Sequence, residues 1–147
     1  MTDQRPRRPD EMPPTSTFTR HSGIRPVSVT PDLVVYEMPV TETQTNRNGV
    51  LHGGAIMTLA DAAAGSAAFI NIPADKSNTT VESKTNFLRA VRVGDVLTAR
   101  CTPLHRGRTV MVFQIEMTRG DGKIAAMSTQ THMVIDWNGK RTKGGQE

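Results

Sequence analysis

A single cysteine, Cys101, stands in the 147 residues, so no internal disulfide can form and nothing in the chain demands an oxidising compartment. Aromatic residues make up only 4% of the chain, which leaves little stacking surface for single-stranded nucleic acid. No apolar run approaches the ~18 uninterrupted residues of a membrane span; the Ala-rich stretch comes nearest and is broken by Asp61, Ser66 and its glycines. The opening MTDQRPRRPDEMPP has no apolar segment of a secretory leader, and its prolines and acids spoil an amphipathic transit helix. A cytoplasmic setting is expected, with no membrane partner. The four histidines and the cysteine lack zinc-like spacing, so no metal site is expected. The net charge of +4 and pI of 9.7 invite a nucleic-acid reading. Much of the positive charge sits at the ends, however, on Arg5, Arg7, Arg8, Arg20, Lys140, Arg141 and Lys143. With no nucleic-acid-binding motif, that class is set aside, and a basic patch suits an anionic small ligand as well.

What is there reads as one domain. Residues 1–22 are rich in Pro, Arg and Thr without a period and are expected to form a flexible tail, as are residues 138–147. The body, 23–137, opens with two strand-like runs, IRPVSV and DLVVYEMPV, separated by Thr30-Pro31-Asp32. Pro26 and Pro39 put at least one of them at a sheet edge. An Ala-rich helix follows from about Gly53 to Asn71, and then β patterns only: TTVESKTNFLRAV, DVLTARCTPLH, TVMVFQIEMT and KIAAMSTQTHMVID. Met111, Phe113, Ile115 and Met117 alternate with polar or outward residues, as in a half-buried strand. Arg106-Gly107-Arg108 and Gly120-Asp121-Gly122 supply turns. Two strands, one long helix and four strands in succession predict an α+β fold, an antiparallel sheet packed on the helix.

That helix contains an anomaly. Between Arg47 and Asp75, Asp61 is the only charged acid or base. At ~100° per residue, Ile56, Leu59, Ala60, Ala63 and Ala67 share one stripe, while Asp61 falls about 140° from Ile56. Its neighbours on that side, Met57, Ala64, Gly65 and Ala68, are small or apolar rather than charged. A helix without a solvated face is buried all round, and one sheet cannot surround it, so a second subunit is expected to cover the rest. Asp61 then lies near a subunit interface, where a carboxylate must be paired, hydrogen-bonded or used. Either it is a structural acid satisfied by a neighbouring Ser, Thr or Arg, or it is a working group.

His52-Gly53-Gly54 stands at the helix start. The N–H groups of a first turn have no intrahelical partner, and a Gly inside a helix costs about 1 kcal/mol relative to Ala. Two in a row suit close approach of an oxyanion or polarised carbonyl, although they also permit a tight loop-to-helix turn. Together the features outline acyl transfer: the Gly53 N–H polarises a carbonyl, and a carboxylate on another helix face, or another subunit, attacks it or activates water.

The pattern N-R-x-G-x-x-H-G-G from Asn46, followed nine residues after His52 by Asp61 in an Ala-rich helix, resembles the hotdog-fold acyl-CoA thioesterases of the PaaI type. The resemblance spans roughly Gly23 to Asp136. It implies a long central helix wrapped by an antiparallel sheet of five to six strands, and homodimers or homotetramers with sites at the subunit interface. Residue by residue, it makes Asp61 the general base or nucleophile and the Gly53 N–H the group polarising the thioester carbonyl. Asn46 and His52 orient that carbonyl or the water. Thr80 takes the place where relatives carry a water-steadying Ser or Thr, as a cross-subunit partner of Asp61. Some relatives have Asp two residues on, where this chain has Glu82. Desolvation would raise the pKa of Asp61 and improve it as a base. Coenzyme A enters only as part of the substrate, and no separate cofactor is implied. Its phosphates call for basic loop residues, for which Arg89, Arg92, Arg106 and Arg108 are candidates. Two alternatives stay open: a hotdog hydratase or dehydratase on acyl thioesters, which needs a paired acid and base and usually involves a catalytic His, and a non-catalytic acyl-CoA-binding protein.

Overall fold

The computed structural model describes residues 4–137. Six strands form one antiparallel sheet: β1 (Arg25–Val29), β2 (Val34–Pro39), β3 (Lys76–Phe87), β4 (Val96–Arg106), β5 (Val110–Thr118) and β6 (Ile124–Asp136). Their spatial order is β1-β2-β4-β5-β6-β3, so β1 and β3 are the edges. Pro26 therefore sits on an edge strand, at a register shift against β2, where its missing N–H removes no central ladder bond. The sheet curls around α2 (Gly53–Ile70), the hotdog wrap. By length and composition α2 could cross a membrane. Here it is the axis of the core, with Ile56, Leu59, Ala60, Ala63 and Ala67 all buried.

Those side chains meet the inward faces of the strands, among them Tyr36, Leu97, Phe113, Ile115 and Met117. Alanine at three of the five stripe positions lets the sheet approach closely, and each fully buried large apolar side chain contributes roughly 1.5–3 kcal/mol. Cys101 is fully buried among them, and that burial pushes its thiol pKa up to about 12, consistent with a small hydrophobe rather than a nucleophile.

Two expectations need correcting. Ala64 and Ala68, assigned from the sequence to the uncovered side, are buried within the same chain. The curl of the sheet covers more of the helix than one flat sheet would. What stays open is narrower: Met57, at 38% exposure, and Asp61, with Gly65 half-buried below them.

The stretch expected as an N-terminal tail also carries structure. It forms a 3₁₀ turn (Pro9–Glu11) and a short helix α1 (Thr17–His21), and α1 packs against α2. The reason is local. Ser16 caps α1 by accepting the Thr19 N–H, and Arg7 supplies N–H donors to the Phe69 carbonyl in the last turn of α2 and to the Lys76 carbonyl at the start of β3. Residues 138–147 lie outside the described residues.

Candidate active site

The loop before α2 is pinned by its own side chains. Asn46 Oδ1 accepts the Asn48 N–H at 2.9 Å, and Gly49 takes a positive φ of 73° to close the turn. His52 is the N-cap: its Nδ1 accepts the Gly54 N–H at 2.8 Å. That leaves the neighbouring Gly53 N–H with no acceptor among the described residues, at the positive end of an 18-residue helix. Gly53 and Asn46 line a pocket of about 370 Å³ with Leu51, Phe87, Leu88 and Arg89. A Cβ at Gly53 would meet the Phe87 ring at 3.3 Å, so the backbone there is approached closely.

Eight residues further along, Asp61 opens into a different pocket, of about 500 Å³, between α2, β1, β2 and the N-terminal segment. Thr80 Oγ1 donates to Asp61 Oδ1 at 2.9 Å. This pair was expected across the subunit boundary, yet it forms within one chain. β3 starts only a few residues after α2 ends and runs back along it, which returns Thr80 to the level of Asp61. A register shift between Thr80 and Glu82 leaves Val81 unpaired against β6, a bulge beside the site.

Sequence reasoning missed what lies behind this pair. On β6, Ser128, Gln130 and His132 point inward and are at most 1% exposed. His132 Nε2–H donates to Gln130 Oε1 at 2.9 Å, Gln130 in turn donates to Ser83 Oγ at 2.9 Å, and His132 Nδ1 lies 3.2 Å from Asn78 Oδ1. Burial lowers the proton affinity of His132, partly offset by attraction to Asp61. Polar residues at alternate positions of an inward strand face were the available signal.

Asn46, His52 and Gly53 thus gather at one end of α2, and Asp61 with Thr80 at its middle. Eight residues at 1.5 Å each separate Gly53 from Asp61 by about 12 Å along the axis. The basic candidates divide likewise. Arg89 shares the Gly53 pocket, and Arg92 adjoins the Gly49–Leu51 loop through the Val50–Arg92 bridge. Arg106 and Arg108 lie at the opposite end. Arg106 there is bound by Asp32 at 2.8 Å and by the Pro31 carbonyl, and Arg108 lines a pocket with Asn71 and Asp75. No group of three or more His, Cys, Asp or Glu suited to a metal occurs among the described residues.

Comparison with known proteins agrees with this architecture. The thioesterase superfamily profile matches residues 48–126, the segment from the loop before Gly53 into β6. A thioesterase from Haemophilus influenzae superposes with a TM-score of 0.80 at 30% identity, covering 86% of this chain and 88% of its own. The Escherichia coli PaaI protein of the phenylacetic acid degradation operon gives 0.78 at 26% identity, over 84% and 87%. A hypothetical thioesterase from Streptococcus pneumoniae, solved with coenzyme A, gives 0.72 at 27% identity, over 78% and 87%. With its helix wrapped by six strands and the His-Gly-Gly turn and Asp61 on that helix, this chain belongs to the hotdog thioesterase superfamily and is a thioester hydrolase.

Proposed function

We propose that the chain hydrolyses acyl-CoA thioesters at a site shared between two copies, the Gly53 N–H of one polarising the carbonyl and Asp61 of the other activating water. The observation that carries this reading is the ~12 Å gap between the two groups on one helix. No carbonyl can touch both within a single chain, whereas the open strip of Met57 and Asp61 is what a second copy would cover. The free outer edge of β3 and the exposed Val81, Phe87 and Leu88 support a second copy there. The assembly is a homodimer, or a homotetramer made of such pairs. Asp61 is solvent-exposed in the single chain, so it is the partner and the substrate that take it out of water.

The chemistry balances with few groups. Thr80 occupies Asp61 Oδ1, and Oδ2 takes a proton from water as the water oxygen bonds to the carbonyl carbon. The carbonyl oxygen gains charge facing the Gly53 N–H, with the free amide group of Asn46 lining the same pocket. Collapse expels the CoA thiolate, which takes up the proton. One such donor is worth about 3–4 kcal/mol and general-base help about 10²–10⁴-fold. His52 serves as a cap, its Nδ1 already engaged, which argues against a hydratase that needs it as a base. Arg89 and Arg92, near the Gly53 end, receive the CoA phosphates. The CoA in the Streptococcus pneumoniae relative supports that substrate class.

The test is thiol release from a panel of acyl-CoAs, phenylacetyl through dodecanoyl, by wild type and Asp61→Asn. A fall of about a hundredfold or more is expected, the lower bound for losing a general base. Undiminished turnover by the Asn variant would make Asp61 a structural acid.

A further inference from the structure

The pocket beside Asp61 is closed on one side by residues 12–19, outside the strand–helix body. Met12, Pro13, Pro14 and Thr19 face Ala62, Gly65 and Phe69 of α2 across it. Asp61 and Phe69 lie eight residues apart, so the pocket runs about 12 Å along the helix from the carboxylate. Its lining is mainly apolar and small, the character of a slot for a hydrocarbon chain.

The wall is latched at both ends. In front, Arg7 Nη1 donates to the Phe69 and Ile72 carbonyls at 3.1 Å, and Nη2 donates to those of Ala74 and Lys76 at 3.1 and 2.9 Å. Its guanidinium also stacks 3.6 Å from the centre of the Phe69 ring, the ring that forms the far end of the pocket. Behind, Gln44 Nε2 donates to the Ser22 carbonyl at 2.7 Å. Between the latches the consecutive prolines hold the backbone extended at little entropic cost.

Resting on the acyl-CoA reading above, we infer that residues 7–22 are a specificity wall, held by Arg7, which sets how long an acyl chain the Asp61 pocket accepts. Arg7 is a positioning residue: it touches the wall and Phe69, not the thioester. The substrate class is an unbranched, medium-length acyl group lying along α2 between Asp61 and Phe69.

The experiment measures calorimetric affinity for S-alkyl-CoA thioethers, from butyl to hexadecyl, beside kcat/KM for the matching acyl-CoAs. Wild type is expected to gain about fourfold per buried methylene, levelling off between octyl and dodecyl where the pocket ends. Arg7→Ala should lose about tenfold on octyl, leave butyl unchanged and no longer level off. Gly65→Leu fills the slot from the helix side, where a Cβ has no atom within 4 Å. It should lose the gain beyond butyl and keep its fold, since Leu favours a helix over Gly. If Arg7→Ala does not fold, Gly65→Leu decides. Chain-length discrimination in wild type without hydrolysis would overturn the proposed function and keep the wall. Hydrolysis with one length profile common to wild type and the variants would overturn the wall and keep the function. No affinity gain with chain length in wild type would overturn the wall directly.

Discussion

Gly53→Pro is the sharpest perturbation the structure offers. It deletes one N–H and little else, because Gly53 is the first residue of α2, where proline is tolerated. His52 already has φ −64° and ψ 135°, the extended conformation a residue before proline requires. The added ring meets Phe87, whose nearest atoms lie 3.3–3.4 Å from an ideal Cβ, so that side chain must shift by a few tenths of an ångström. The lost donor should cost about 10²–10³ in kcat, or ~3–4 kcal/mol, with the melting temperature nearly unchanged. The decisive assay mixes this variant with Asp61→Asn. If Gly53 and Asp61 meet across a two-fold interface, a mixed dimer holds one site with both lesions and one intact site. Random exchange then restores about a quarter of wild-type turnover, since half the dimers are mixed and half of their sites are whole. Were the site built within one chain, every site would carry a lesion and nothing would be recovered. Absence of recovery in chains shown to have exchanged would refute the shared site, and near-normal turnover by Gly53→Pro alone would refute the role of its N–H.

Thr80→Val keeps the side-chain shape and removes the O–H that holds Asp61 Oδ1. A loss of about tenfold or more in kcat, with KM little changed, is expected from one hydrogen bond to a charged group, read in the same thiol-release assay. Acid stability should report His132. Its folded-state proton affinity lies below the usual 6.5, so its contribution is fully present above pH 6.5 and is lost as pH falls from there towards the folded pKa. Chemical denaturation between pH 7.5 and 5 should show wild type losing up to about 1.4 kcal/mol per pH unit more than His132→Gln. Parallel slopes would show that His132 does not resist protonation in the folded state.

Much of the architecture is legible in residue order. The alternation of Met111, Phe113, Ile115 and Met117 appears as a strand buried on one face, and Pro26 falls on an edge strand. The stripe from Ile56 to Ala67 is the core face of α2. Asp61 and Gly53 stand out because a lone charge in an apolar helix, and two glycines at its start, each carry a cost that needs a reason. Such signals survive in one dimension because periodicity and local cost are properties of neighbours along the chain.

Partners distant in sequence are not. That Thr80 meets Asp61 within its own chain depends on how β3 runs back along α2. That His132 sits behind them follows from its register opposite Thr80 and Met111. Arg7 reads as one basic residue among several in a composition typical of a flexible tail. It works as a latch because the chain, passing from the last turn of α2 into β3, leaves carbonyls 69, 72, 74 and 76 converging where a five-donor guanidinium can reach them. Local pattern determined the elements and the lone acid. Only the closing of the sheet around the helix decided which distant side chains stand beside it, because contacts between remote segments are set by topology and packing.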